Sequence, residues 1–400
     1  MSARPGTGSG IDPQNIKYIT FEGGGGKGNA YLGALKALED LGMLDKIQGV
    51  SGASAGAITS LLVGTDHSFD EIKKIISGAD FIKDLLDSAI QGKGITLKEG
   101  KSKDVGAIAH DNYDVSQKGV ISQSMFSGMG IAESIQNYTP TGMLSKMLTG
   151  DIIDYLIDNE ALADKFAANM SGYMECLYYD YGFFSGIEIH KWLNSILRAK
   201  IKEKSPKGHE FSENSGGNNE YSPFPTFAEI DGLFSKTLKF TAVNFRTQQL
   251  HILSRETTPD LPVATAARMS MNLPFIFKPV KKEGSSHDTL RGLWLDGGIM
   301  NNAPVKVFED EGEQTLLFRL GNRKIDNTYP DFLDFLKGYF GMTVMGGAGV
   351  GRLSSTTWEE YYSNIIELGI GQLDTLDFDA KGQLEQLIKI NEQITKSALE

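Results

Sequence analysis

The residues able to do chemistry sit in three segments rich in glycine. In the first, Gly52-Ala53-Ser54-Ala55-Gly56 places a serine between small residues, after the run 47–51 and before the apolar stretch 55–63. A serine held at a sharp strand-to-helix turn needs strained backbone angles and neighbours nearly free of side chain. The helix that follows aims its first amides at negative charge developing beside Ser54. That is the setting of a nucleophile; the plain alternative is a tight turn of small residues. The second segment, Gly23-Gly24-Gly25-Gly26-Lys27-Gly28, also joins a strand to a helix. A phosphate loop is excluded, because Phe21 stands where its first glycine belongs and Gly28 where its Ser or Thr belongs. A dinucleotide fingerprint is formally met by Gly23, Gly25 and Gly28, with Asp45 as the ribose-binding acid. An oxyanion hole is the third reading, in which consecutive glycine amides donate to a tetrahedral intermediate. A flexible turn that permits close helix packing is the fourth.

The third segment is Asp296-Gly297-Gly298, directly after the apolar LWL. An aspartate at the end of a strand stands where catalytic groups gather in open α/β sheets. A turn or a helix cap would use the same residues. The six histidines are His67, His110, His190, His209, His251 and His287, and none follows Asp296. The order serine, acid, histidine of an ordinary α/β-hydrolase is therefore impossible with Asp296 as the acid. His287 lies in the polar segment KKEGSSHD and reads as a solvated loop residue.

Taken together, FEGGGGKG, GASAG, PDLPVATAARMSMNLPFIFKPV and LDGGIMNNAPV resemble the patatin-like phospholipase family. FSGIEIHKWLNSIL, TFAEI, TAVNFRT and the closing TLDFD helix extend the likeness over most of residues 16–400. The resemblance implies a three-layer α/β/α fold with a central, largely parallel sheet. It makes Ser54 the nucleophile and Asp296 its partner in a two-residue dyad. It assigns the oxyanion hole to the amides of Gly24, Gly25 and Gly26, with Ala55 beside them, and gives Lys27 a role in positioning the loop. Gly23, Gly28, Gly52, Gly56, Gly297 and Gly298 complete the motifs. A dyad without histidine needs an aspartate more basic than usual, which desolvation in an apolar cleft supplies. The substrates implied are phospholipids, lysophospholipids or other acyl lipids. The residues alone support a serine esterase, so a soluble carboxylesterase or thioesterase, or a lipid binder without turnover, stays an alternative.

Such residues must be positioned by strands and helices, and the patterning supplies candidates. Residues 17–21 read as a strand, 29–41 as a helix stopped by Gly42, 47–51 as a strand and 55–63 as a helix. Two strand-loop-helix units in succession imply a parallel sheet. Further strands are expected at 238–245, 249–254, 290–295 and 315–320, and helices at 187–197 and 382–399, the latter capped by Asp379. Residues 1–15 read as a disordered tail, and about 90–180 as an insertion that would form a lid over the site. Phe332, Phe335, Phe340, Met342 and Met345 form a candidate lipid-facing patch.

A formal net charge of −12 argues against nucleic acid and strongly anionic membranes as partners, so peripheral membrane contact would be local and apolar. The single Cys176 excludes an intramolecular disulfide and reads as a buried small side chain. Asp377, Asp379 and Gly382 fall short of a calcium loop, since Lys381 and Ile388 occupy ligand positions; neither metal nor cofactor is expected. The absence of a signal-like segment and of an apolar run of about 18 residues points to a cytoplasmic protein, with export by a signal-independent route left open.

Overall fold

The computed structural model of the chain describes residues 11–79, 94–97, 105–107, 176, 180–205, 210–211, 220–308, 313–321, 364–371, 373 and 382–400. Its strands are β1 (Tyr18–Phe21), β2 (Gly49–Gly52), β3 (Ile95–Leu97), β4 (Val105–Ala107), β5 (Gly182–Phe184), β6 (Glu210–Phe211) and β7 (Glu220–Tyr221). The second half adds β8 (Thr237–Asn244), β9 (Gln249–Ser254), β10 (Phe275–Phe277), β11 (Val280–Lys282), β12 (Gly292–Asp296), β13 (Thr315–Leu320) and β14 (Ile365–Leu368). The helices are α1 (Tyr31–Asp40), α2 (Ala55–Gly64), α3 (Phe69–Gly78), α4 (Ile187–Lys204), α5 (Phe227–Ile230), α6 (Val263–Ser270) and α7 (Leu384–Leu399).

One sheet of ten strands runs in the order β14-β13-β1-β2-β8-β12-β11-β3-β4, with β9 paired to β8 outside that path. From β14 to β8 every pairing is parallel. These strands read as apolar runs because helices cover both faces, and Ile19, Phe21, Val50, Leu316 and Phe318 are fully buried. Beyond β8 the sheet turns antiparallel through β12 and β11. Two polar side chains of this core pair with each other: Thr20 and Ser51, opposite in register, share a 2.6 Å hydrogen bond. The architecture is the three-layer α/β/α fold with a central, largely parallel sheet.

Three expectations are corrected. Residues 11–15 do not continue a tail, since they form a turn with Ile11 buried in the core. Residues 95–97 and 105–107, assigned to the insertion, form β3 and β4 at the sheet's edge. α7 starts after Gln383, with no side-chain cap, so Asp379 is not its N-cap. Cys176 is buried as expected. The lid and the aromatic patch at 332–345 lie outside the described residues.

Candidate active site

The position of the site follows from the edges of β8. β9 pairs with Lys239–Asn244 along one edge, so β2 and β12 must share the other. β2 ascends that edge in parallel and ends with Gly52 opposite Phe240. β12 comes down it antiparallel and ends with Asp296 opposite Ala242. The two C-terminal ends therefore meet two residues of β8 apart, which is about 7 Å of strand. Ser54 leaves one end and Asp296 closes the other.

Ser54 is 6% exposed and caps α2 with φ 53° and ψ −123°, a left-handed conformation that costs a non-glycine residue about 1–3 kcal/mol. The strain is held from both sides. Its N–H donates to Ser270 Oγ at 3.1 Å and Ser270 O at 3.2 Å. The chain can reverse only because Gly52 and Gly56 touch: a Cβ on Gly56 would fall 2.2 Å from Phe21 O, and one on Gly52 would fall 2.3 Å from Gly56 O. Ala55 opens α2 and lines the cleft beside Ser54.

Asp296 is almost completely buried. Its N–H donates to Asn272 O at 3.0 Å, and its Oδ1 accepts the Gly298 N–H at 2.7 Å in the short 3-10 turn Gly297–Ile299. Oδ2 is buried and meets no donor in full hydrogen-bonding geometry, yet the Ser54 hydroxyl is near enough to draw the carboxyl pKa down. Burial is the larger effect. It pushes Asp296 up to about 7 against the opposing pull of Ser54, the Gly298 N–H and the Arg268 charge.

The glycine segment packs against the same corner. Gly23 N–H donates to Asn302 O at 2.9 Å, and Asn302 Nδ2 returns a bond to Gly23 O at 3.0 Å. A Cβ on Gly23 would lie 3.1 Å from Ser54 Cβ. From Gly25 to Ala30 the chain forms a 3-10 helix, and Gly25, Gly26 and Gly28 line the cleft with Ser54. Gly24 faces Leu320 instead, and the Lys27 N–H donates to Gly24 O at 3.2 Å. Asp45, the ribose-binding acid of the dinucleotide reading, sits beyond the far end of α1. The cleft spans about 880 Å³, counting its opening to solvent, and among the described residues no charged side chain lines it.

Among the described histidines none lines this cleft. His190 donates to or accepts from Thr265 Oγ1 at 2.8 Å, stacks on Phe224, and is pushed down to about 3 by burial and then by Arg268. His287 is exposed in its loop. Among the described residues no group of three or more His, Cys, Asp or Glu is placed to hold a metal ion.

Sequence reasoning singled out neither Ser270, Asn302 nor Arg268. The Arg268 guanidinium is fully buried, donates to Asn272 Oδ1 at 2.5 Å and Gly186 O at 3.3 Å, and lies over the Phe277 ring. A full charge in the otherwise uncharged VATAARMS is the signal that could have found it, since such a group is buried only where it is paired. Asn302 and Ser270 carry no comparable signal.

Comparison with known proteins places this geometry. An uncharacterized protein of Acanthamoeba polyphaga mimivirus is 22% identical over 355 residues, 86% of this chain and 81% of its own. A probable lipid hydrolase of invertebrate iridescent virus 6 is 27% identical over 126 residues, 32% of this chain and 34% of its own. The crystal structure of VipD from Legionella pneumophila aligns with 96% of this chain and 67% of its own, at 19% identity and a TM-score of 0.48. The sequence profile described as patatin-like phospholipase matches residues 19–309, which span β1 to the residues just after Asp296 and so include every element of the corner described above. The chain belongs to the patatin-like phospholipase family of lipid-hydrolysing enzymes.

Proposed function

We propose that the protein hydrolyses carboxylic esters of acyl lipids, of the phospholipase A or lysophospholipase type, through an acyl-serine intermediate. The observation that carries this reading is a strained serine and a buried carboxyl, brought to one edge of β8 beside a cleft whose described lining carries no charge. Ser54 Oγ attacks the ester carbonyl carbon while Asp296 takes the hydroxyl proton. An aspartate near pKa 7 suits that task at neutral pH, where an ordinary one would be too weak a base. The oxyanion accepts from the amides of the glycine segment and of Ala55, and each donor is worth about 10²–10³ in rate. Collapse expels the alcohol with the proton from Asp296. Water then attacks acyl-Ser54, giving its proton to Asp296, and collapse of this second intermediate returns that proton to Ser54 Oγ as the fatty acid leaves.

Product mass spectrometry on mixed phospholipid vesicles tests this. Ser54→Ala and Asp296→Asn are each expected to lower fatty-acid release by at least about 10³-fold. Undiminished release from Ser54→Ala would remove the serine from the mechanism. A short-chain soluble ester run in parallel separates a lipid hydrolase from a soluble esterase. Among the described residues no helix is long and apolar enough to cross a membrane, so the lipid is met at a surface.

A further inference from the structure

We propose that Asn302 is a positioning residue for this ester hydrolysis: its side chain ties the glycine segment to the turn that carries Asp296, and so sets the oxyanion amides in place before substrate arrives. The role rests on the reading of Ser54 as the nucleophile.

The need for such a tie comes from composition. Gly23 to Gly26 have no side chains with which to anchor themselves, and glycine has the most backbone freedom to lose. Donors that must meet an oxyanion at about 2.7–3.1 Å therefore have to be fixed from outside the segment. One anchor is local, since Asn29 Nδ2 donates to Gly26 O at 2.7 Å within the 3-10 helix Gly25–Ala30. The other end depends on a residue 279 positions away. Asn302 grips both polar groups of Gly23, accepting its N–H at the backbone carbonyl at 2.9 Å and donating from Nδ2 to Gly23 O at 3.0 Å. The same Nδ2 donates to Glu22 Oε1 at 3.4 Å, while Glu22 Oε2 accepts the Leu320 N–H at 2.8 Å. Glu22 is buried and continues the ladder of β1, its N–H donating to Phe318 O at 3.1 Å, and its carbonyl accepts from the Tyr31 hydroxyl at the head of α1. The grip on Gly23 is thus rooted in the sheet.

The other side of Asn302 belongs to the acid. After Asp296 the chain winds through Gly297–Ile299, where the N–H groups of Met300 and Asn301 donate to Gly297 O at 3.1 and 2.9 Å. This turn delivers Asn302, 6% exposed, against Gly23. Its Oδ1 fits between the two glycine motifs: a Cβ on Gly23 would fall 2.3 Å from this oxygen, and one on Gly298 2.5 Å from it. Gly298 is also the residue whose N–H holds Asp296 Oδ1. One amide plane therefore spaces the backbone that receives the oxyanion from the backbone that orients the base. Displacing a positioned group by about 1 Å costs about 10²-fold in rate.

A long-chain alkyl trifluoromethyl ketone tests the tie. Ser54 Oγ bonds to its carbonyl carbon, Asp296 takes the hydroxyl proton, and the resulting alkoxide needs the same amides as the reaction. The alcohol of the same chain binds without forming that alkoxide. In the full-length protein, Asn302→Ala is expected to weaken the ketone by about 10²-fold and the alcohol by less than about threefold. It should lower kcat on phospholipid vesicles by about 10²-fold and leave KM within about threefold. Asn302→Ser, polar but too short to reach Gly23 O, should do the same, with thermal unfolding checking that each variant is folded. Equal loss for ketone and alcohol, or a ketone affinity within about threefold of the parent, overturns the tie while sparing the nucleophile. If Ser54→Ala binds the ketone as well as the parent does, the nucleophile falls and the tie with it. Should neither Asn302 variant fold, hydrogen exchange of the inhibitor-free parent decides. The Gly23 N–H should then exchange at least about 10²-fold more slowly than an open glycine amide, and free exchange there overturns the tie.

Discussion

Asp296 carries opposite consequences for rate and for stability. Its pKa in the folded chain is about 7, above the ordinary carboxyl value of 3.8, because burial disfavours the charge. The stability it confers is therefore complete below about pH 4 and is lost as pH rises through about 7. Activity runs the other way, since only the carboxylate can accept a proton. The kcat/KM profile should rise with pH and reach half its plateau near pH 7. Asp296→Asn should be inactive and yet unfold at a higher temperature than the parent at pH 8, because the amide oxygen can still accept from Gly298 while no buried carboxylate remains. The full gain is bounded by roughly 4 kcal/mol, the cost of raising a carboxyl from 3.8 to about 7. A lower Tm for Asp296→Asn at pH 8 would contradict it. Arg268 bears on the same equilibrium, since its charge holds the Asp296 pKa below what burial alone would set. Arg268→Gln should move the half-plateau of the pH profile upward, a displacement that loss of packing alone would not produce. An unchanged midpoint in a folded variant would deny Arg268 that role.

Among the elements, those with strong periodicity were legible in the sequence. β9 and β13 begin and end where the apolar and β-branched patterning places them, and α2 extends one residue past expectation. β3 and β4 were hidden because three residues are too few to show alternation, and lysine and glycine surround them. The head of α7 was misread because Asp379 has the chemistry of a cap, whereas the chain enters this helix through Gln383 without one. Ser54, Asp296 and the glycine segment were visible as motifs. Their supports were not: Ser270 stands 216 residues from Ser54, and such a contact leaves no local trace. The elbow itself predicts a sharp response. Gly56→Ala drives a methyl into the Phe21 carbonyl, where backbone cannot yield, and should cost more than about 3 kcal/mol or prevent folding. Denaturant titration measures it, and a loss below about 1 kcal/mol would mean that β1 moves more freely than its pairing on both sides implies.

Over the whole molecule, the family match ends at residue 309, but the fold does not. β13 lies between β1 and β14 inside the parallel half of the sheet, and α7 packs along α1, with Lys396 bonded to Asp40 at 2.8 Å. That surface ion pair adds at most about 1 kcal/mol, so the apolar face of α7 holds it down. Leu387→Ala, which empties a buried position there, should lower stability by about 2–5 kcal/mol and leave the midpoint of the pH profile where it was. A shift of that midpoint would show that α7 reaches the carboxyl after all. The nucleophile's strand and the acid's strand take their separation from neighbouring residues of β8, so it is inherited from a peptide ladder rather than from any loop. Loops around the opening can lengthen, shorten or be exchanged between relatives without altering that separation. Descendants of such a scaffold can diversify in what they admit while the reaction at the bottom of the opening stays the same.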